Sequence, residues 1–380
     1  VLVQAHSSAA FLSSQLPNAE PIPRDWAVVR HATPSDVRAL ANIYHEVYRG
    51  TYTYHEYLDP DYLKHEIESG LAGWYAVEDG TAPGEIAGCV SAKVDPIHQR
   101  AYSRGMMLRP AWQGRGGASH VFCECFQDFK SGRPGIRVLY SETRATSIKP
   151  QATCEAIGLH PLGILPNKDV FFGARESPVL MAVYSSAAWA TRETSVKIVP
   201  ELEPLYRFCV TQHLAMRKDT LEIVAHDAGQ VGHPAAEIDI QATKQKYGYT
   251  RYTFTCQKTG ESIELGVNAQ CMNAEGLEIH CSRPATARAL MMFALEYLRA
   301  RGVQYMEGYC PATKPGLQSA FLDAGYRPLG YAPAWNLDRR TGRFVDQVVF
   351  GWSKRFATGA TALTKASEKL AGVLGLSEEK

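Results

Sequence analysis

The apolar positions along the chain change period repeatedly. Residues 26–32 alternate like a short strand. Thr33-Pro-Ser-Asp then offers an N-cap for a helix whose apolar residues are Val37, Leu40, Ala41, Tyr44, Val47 and Tyr48. Their spacing of i, i+3, i+4 and i+7 makes one face apolar. A second short helix is expected over 61–68, ending before Gly70. Strand-like stretches follow at 73–78, 85–93 and 101–108, separated by turns at Asp79-Gly80 and around Pro96. The next helix runs to about Lys130 and buries Val121, Phe122, Cys125, Phe126 and Phe129. A strand at 136–142, a helix at 150–157 closed by Gly158, and strands near Leu162 and at 179–184 complete the series. The predicted order β-α-α-β-β-β-α-β-α-β-β is a mixed sheet flanked by helices.

A second series begins near Val196. It predicts a helix over 202–213, strands at 235–242, 249–257, 262–269 and 277–281, and a helix over 285–301 striped by Leu290, Met291, Phe293, Ala294, Tyr297 and Leu298. A strand at 304–309, a helix at 313–324 stopped by Gly325, and strands at 327–331 and 345–352 follow. This order repeats that of the first half and suggests an internal duplication. The expected division is an N-terminal arm over 1–25, one domain over 26–190, a second over 196–356, and an amphipathic tail over 357–380 with Leu363, Ala366, Leu370 and Leu374 at helical spacing.

Composition narrows the function classes. Of 380 residues, 45% are hydrophobic and 21% charged, which is ordinary globular material. Forty basic against 39 acidic residues leave a net charge of +1, so no overall field recruits nucleic acid or a membrane surface. Nine cysteines, scattered from Cys89 to Cys310, show no CxxC pair and no zinc-like spacing. Cys123 and Cys125 diverge by about 200° around a helix and cannot share a metal. Reduced thiols in a cytoplasmic protein are expected, with no metal. No apolar run approaches the ~18 residues of a membrane span, and the first 25 residues lack the pattern of a secretory signal.

The informative stretch is Gln113-Gly-Arg-Gly-Gly-Ala. A strand delivers the chain to it, Pro110 ends that strand, and a helix leaves from it. Three glycines in four positions remove Cβ atoms where the backbone turns and approaches a ligand. The first amides of the helix have no internal partners and point at whatever sits there. The helix dipole favours negative charge by ~0.3–1 kcal/mol when exposed and up to ~2 when partly buried. A pyrophosphate meets these requirements. The P-loop pattern GxxxxGK[ST] is absent, and GxGxxG fails because Gly114-Arg-Gly-Gly-Ala-Ser lacks the last glycine.

Leu108-Arg-Pro-Ala-Trp-Gln-Gly-Arg-Gly-Gly-Ala resembles motif A of the GNAT superfamily of N-acyltransferases, [QR]xxGx[GA], with Gln113, Gly116 and Ala118 at its defining positions. Gln151-Ala-Thr-Cys-Glu-Ala-Ile-Gly-Leu resembles motif B, and Val29-Arg-His-Ala-Thr-Pro-Ser-Asp resembles the usual first strand and helix start. The likeness covers residues 27–185. In the second half Ala320-Phe-Leu-Asp-Ala-Gly-Tyr again resembles motif B, while Arg283-Pro-Ala-Thr-Ala-Arg has no glycines where motif A would stand. The fold this implies is α/β (α+β), with two GNAT-like domains. Each is a mixed, mostly antiparallel twisted sheet flanked by helices, and the second lacks the pyrophosphate turn.

The resemblance implies acetyl-CoA or another acyl-CoA as cofactor and a small amine as acceptor. Backbone amides of Arg115, Gly116, Gly117 and Ala118 would hold the pyrophosphate, with Gln113 and Gly114 shaping the turn. Met106, Met107 and Leu108 would lie along the pantetheine arm, an amide near Met107 polarising the thioester carbonyl. Ser147 stands where motif B often carries Asn, and Gln151 opens that motif. Cys154 occupies the place of the tyrosine that many relatives use to protonate the leaving thiolate. Glu142, at the end of the strand before motif B, is the first candidate for the base that an amine of pKa ~10.4 requires. Tyr140, Tyr102 and His160 are further candidates. The aromatic segment from Tyr44 to Tyr57 reads either as an acceptor wall or as packing under a helix hairpin. A non-catalytic acyl-CoA sensor and other thioester chemistry are the competing readings. A homodimer and an acyl-carrier protein are further partners compatible with the pattern. Filling the turn by Gly116→Glu, which adds bulk and negative charge, is expected to abolish coenzyme A binding. Calorimetric titration checks this, and unchanged affinity would move the pyrophosphate elsewhere.

Overall fold

The computed structural model describes residues 27–82, 84–114, 118–133, 135–214, 219–227, 229, 237–356 and 361–376. The expected arm over 1–25 and the turn residues Arg115, Gly116 and Gly117 lie outside the described residues.

The first half runs β1 (Ala27–His31), α1 (Val37–Tyr48), α2 (Pro60–Ser69), β2 (Ala72–Asp79), β3 (Ile86–Asp95), β4 (Arg100–Leu108), α3 (Ala118–Gly132), β5 (Val138–Arg144), α4 (Ile148–Ala156) and β6 (His160–Ile164). A small ribbon, β7 (Asp169–Phe171) and β8 (Ala174–Glu176), precedes β9 (Pro178–Tyr184). The connection holds α5 (Ser186–Ala190), β10 (Ser195–Ile198), α6 (Glu203–Tyr206) and β11 (Thr220–Ile223), with β10 and β11 forming a separate parallel pair. The second half runs β12 (Ile238–Lys244), β13 (Tyr249–Cys256), β14 (Ser262–Asn268), β15 (Asn273–His280), α7 (Pro284–Arg299), β16 (Tyr305–Pro311), α8 (Pro315–Asp323), β17 (Arg327–Asp338) and β18 (Arg343–Ser353). Helix α9 (Lys365–Val373) ends the described chain.

Fourteen strands form one sheet in the order β1-β2-β3-β4-β5-β9-β6-β17-β18-β16-β15-β14-β13-β12. Read inward from either edge, the connectivity is the same. Each half has four meandering strands, one parallel step (β4 to β5, β15 to β16), and two further antiparallel strands. Even a bulge is repeated. Gly105 in β4 and Gly276 in β15 both have φ of +67°, and at each the pairing with the preceding strand shifts register.

The halves join where β6 meets β17, with Gly163 opposite Gly330. A Cβ on Gly330 would sit 2.7 Å from the Cα of Gly163, and one on Gly163 would sit 2.8 Å from the Leu329 carbonyl oxygen. Two bare backbones therefore cross at a distance that no side chain permits. The hydrophobic core continues across this seam, from Val121 and Met181 to Phe321 and Phe350. Helix α9 lies against β6 and buries Leu370 and Ala371, with Leu376 buried just after it, so the described part of the amphipathic tail is docked on the body. Among the described residues no helix is long and apolar enough to cross a membrane.

Three expected elements changed, the first being the strand expected over 327–331, which runs over Arg327–Asp338. The strand expected over 277–281 spans Asn273–His280, because the bulge at Gly276 breaks the alternation from which strands are read. The helix expected over 202–213 is α-helical only over Glu203–Tyr206 and continues as a π-helix over Arg207–His213. Gly330→Ala is expected to destabilise the fold by about 1–3 kcal/mol through overpacking. Gly372→Ala in α9, where an added Cβ meets nothing within 4 Å, is the control. Denaturant midpoints decide it, and equal midpoints for Gly330→Ala and wild type would mean that the seam has room.

Candidate active site

Strands β4 and β5 pair in parallel only through Arg100–Val138, Ala101–Leu139 and Tyr102–Tyr140. Beyond Tyr102, β4 bulges. Ser91 pairs with Arg104 and Cys89 with Met107, so Gly105 and Met106 together face Val90. Gly105 is needed here twice over: its φ is left-handed, and a Cβ would land 2.2 Å from the Tyr44 hydroxyl of α1. Strand β5 meanwhile stays paired to β9 as far as Arg144. The two strands splay, and a cleft of about 160 Å³ opens between them. Met106 and Met107 line one side, Glu142 and Arg144 the other, with Phe122 of α3 and Cys154 of α4. The edge of β4 past Tyr102 has no strand partner on this side, which leaves the amides pointing there available to a ligand.

At one end of the cleft is the start of α3. Phe122, one turn in from Ala118, lines the wall, so the unpaired amides of the helix start lie near its mouth. Before the undescribed turn residues, the Gln113 side-chain amide donates to the Leu108 carbonyl at 2.8 Å and anchors the loop. Gly114 has φ of +79° with open space where a Cβ would be.

At the other end the cleft continues into a chamber of about 290 Å³. Tyr54, Tyr102, Arg104 and Glu142 line both spaces. The second half supplies Glu275, Glu307, Tyr309 and Trp335. The Tyr102 and Tyr140 rings stack at 4.9 Å, and Trp335 lies 4.6 Å from Tyr140 and 5.8 Å from Tyr309. Lys168, in the loop after β6, is 1% exposed. Its ammonium lies 2.9 Å from Glu142, 3.2 Å from Glu307 and 3.4 Å from Glu275. Burial alone would lower its pKa, but the three carboxylates hold it well above the ordinary lysine value.

One ammonium cannot neutralise three carboxylates. Burial pushes Glu307 up to about 7 against the pull of Lys168, with Glu275 and Glu142 adding repulsion. The Tyr305 hydroxyl donates to Glu307 at 2.7 Å. Asp169 is likewise raised by burial to about 6, and accepts from the Tyr54 hydroxyl at 2.6 Å.

Several expected residues meet here. Glu142 stands at the junction of cleft and chamber, Tyr102 and Tyr140 form the chamber wall, and Met107 lines the cleft. Tyr48, Tyr52 and Tyr54 both wall the cleft and pack in a tyrosine-rich core with Tyr44 and Tyr57, so the two readings of that segment coexist. Others do different work. Leu108 packs against Ala87 and Trp112. Ser147 caps α4 by accepting from the Lys149 amide at 3.3 Å. Gln151 is fully buried; its amide donates to the Ala362 carbonyl at 2.7 Å and accepts from Thr364 at 3.3 Å, holding the tail rather than a coenzyme. His160 sits on β6, away from the residues lining the cleft. Burial pushes the Cys154 thiol up to about 12. It is then a weaker acid than the free thiol, of pKa ~8.5, that it was expected to protonate. That corrects the expectation of a proton donor at this position.

Comparisons with known proteins concern the first half of the chain. Residues 37–157 match the sequence model of the Acetyltransferase (GNAT) family. This part of the chain is a GNAT acetyltransferase domain. No curated protein matches the chain. Among solved structures, the ribosomal-protein-S5-alanine acetyltransferase of Vibrio fischeri is 19% identical, covering 42% of this chain and 94% of that one with a TM-score of 0.35. The spermidine N-acetyltransferase of Vibrio cholerae, in complex with CoA and spermine, is 20% identical over 42% of this chain and 96% of that one, with a TM-score of 0.35.

The sequence singled out Glu142, which lines both cleft and chamber, but Lys168, Arg104, Glu275 and Glu307 were missed. Lys168 lies in Pro166-Asn-Lys-Asp, which reads as an exposed turn. The charge cluster gives one testable sign. A carboxyl raised from 4.5 to about 7 keeps its proton in the folded state where the unfolded chain has lost it. Its stabilisation is complete below the unfolded pKa and is lost as pH rises through about 7. Glu307→Gln cannot titrate, so its unfolding free energy is expected to fall less between about pH 5 and pH 8 than the wild type's. Denaturant titrations across that range measure the difference, and identical slopes would remove Glu307 from the titrating groups.

Proposed function

We propose that the chain is an acyl-CoA-dependent N-acetyltransferase acting on a small amine by direct transfer. The observation that carries this reading is the splay of β4 from β5, which joins the start of α3 at one end to Glu142 at the other. The residues suit coenzyme A. Amides of Arg115 to Ala118 would take the pyrophosphate, and the unpaired edge from Met106 to Leu108 would take the pantetheine arm, with an amide near Met107 facing the carbonyl oxygen. Bound acetyl-CoA supplies an electrophilic thioester carbon. The acceptor nitrogen forms the new C–N bond as the C–S bond breaks, and the proton lost by nitrogen goes to Glu142. One Glu142 oxygen is fixed by Lys168. The leaving thiolate would take its proton through water, because burial makes the Cys154 thiol the weaker acid.

The second half is read as a second GNAT-like unit over 196–356 that lacks the pyrophosphate turn. The mirrored strand order and the repeated bulge support this. Its part is to wall the acceptor side of the domain over 26–190. Nine free thiols favour a cytoplasmic setting. The test is thiol release from acetyl-CoA with a panel of primary amines. Glu142→Gln keeps an oxygen for Lys168 but loses basicity, so kcat is expected to fall by ~10²–10⁴ while acetyl-CoA affinity is retained. Tight acetyl-CoA binding with no thiol released by any amine would favour a sensor and overturn the enzyme reading.

A further inference from the structure

The chamber carries a charge that nothing in the fold uses. The Arg104 guanidinium lies 3.6 Å from the Tyr54 ring centroid, 4.9 Å from Tyr57 and 5.5 Å from Tyr102. Among the described residues it makes no ion pair and donates no hydrogen bond. The carboxylates nearby are committed elsewhere. Glu142, Glu275 and Glu307 surround Lys168, Asp169 accepts from Tyr54, and Asp95 pairs with Arg100 at 3.0 Å. A guanidinium over an aromatic face keeps its planar N–H fork free for a bidentate anion. Half-buried and without a counter-charge, it gains from a ligand that brings one.

The position of Arg104 gives its free N–H fork a meaning. It lies two residues past Tyr102, as Glu142 lies two residues past Tyr140, the last pair in register between β4 and β5. Both therefore belong to the same face of adjacent strands, where an unbroken sheet would make them cross-strand neighbours of opposite charge. The splay keeps them beyond ion-pair distance, with both lining the chamber. A molecule that carries an anion and an amine can insert between them and satisfy each.

We propose that the acceptor of this transferase is a small amine bearing its own carboxylate or phosphate. Arg104 holds the anionic group, and the nitrogen is presented to Glu142. This rests on the acetyl-transfer reading and names the substrate class for that site. A chamber of about 290 Å³ has room for a molecule of amino-acid size. The aromatic walls of Tyr102, Tyr309 and Trp335 suit an apolar side chain. The half-exposed Glu275 would tolerate a second amine.

The test compares kcat/KM for matched acceptors: the standard amino acids, their carboxamides, and the corresponding aminoalkylphosphonates. A charged hydrogen-bonded anion is expected to favour the acids or phosphonates over carboxamides by ~10–100-fold, and the better of the two anions identifies the group held. In Arg104→Gln that preference is expected to collapse to about threefold or less, with partial recovery in Arg104→Lys. Calorimetric binding of the same acceptors to coenzyme-A-loaded protein is expected to show the same ranking independently of turnover. Equal turnover of acids and carboxamides by the wild type would overturn the acceptor class alone. An equal loss on every acceptor in Arg104→Gln would do so too. Absence of thiol release with every amine would instead overturn acetyl transfer, and the binding comparison would still decide the role of Arg104.

Discussion

The Lys168 ammonium and its three carboxylates hold the site together. Glu142 belongs to β5 of the first half, while Glu275 and Glu307 belong to β15 and β16 of the second. Strands β5 and β16 are separated in the sheet by β9, β6, β17 and β18, so these side chains meet only because the sheet curls around them. A lone ammonium at 1% exposure would cost several kcal/mol, and removing one member of a buried ion pair typically costs about 3–5 kcal/mol. The cluster is therefore satisfied only when both halves are seated. That requirement fixes Glu142, the residue nearest the proposed chemistry, through contacts made by the second half.

The seating depends on the glycines. Gly163 and Gly330 let β6 and β17 pair as bare backbones, and a Cβ on either would push the halves apart. Gly105 lets β4 leave β5 while Tyr44 packs against the space it vacates. A single close approach thus sets the angle between the halves, and a single bulge opens the cleft. The same bulge at Gly276 in the second half lies beside Glu275, which lines the chamber together with Glu307 of β16.

Much of this was legible in the sequence, because amphipathic helices and half-buried strands carry their periods openly. The helix from Val37 and the strand ending at Leu108 were read to within a residue or two. The glycine spacing from Gln113 to Ala118 stands out in the sequence because tight backbone approach to an anion demands glycine, which is why the proposed pyrophosphate site could be named there. The cluster was not, because a lysine after Pro166-Asn and a glutamate beside Gly276 look like ordinary turn residues. Their partners lie 26 residues away at the nearest and 139 at the farthest. Motif spacing placed Cys154 correctly in the cleft wall but could not show how burial suppresses its acidity. Gln151 was misjudged for a similar reason: its partners at Ala362 and Thr364 are brought there only by the docking of α9.

The mirrored strand order brings matching strands of the two halves to one chamber. On the first half the splayed strands present Arg104 and Glu142, one of each charge. On the second, the matching strands β15 and β16 present Glu275 and Glu307, both acidic. Two copies of the first arrangement facing each other would place two guanidiniums and two carboxylates in one chamber, free to pair and close it. With carboxylates at the second pair, Lys168 lies within ion-pair distance of Glu142, Glu275 and Glu307 alike. Arg104 is left as the single guanidinium facing the chamber without a carboxylate partner among the described residues. The second half then contributes to recognition by what it withholds from Arg104 as well as by the walls it builds.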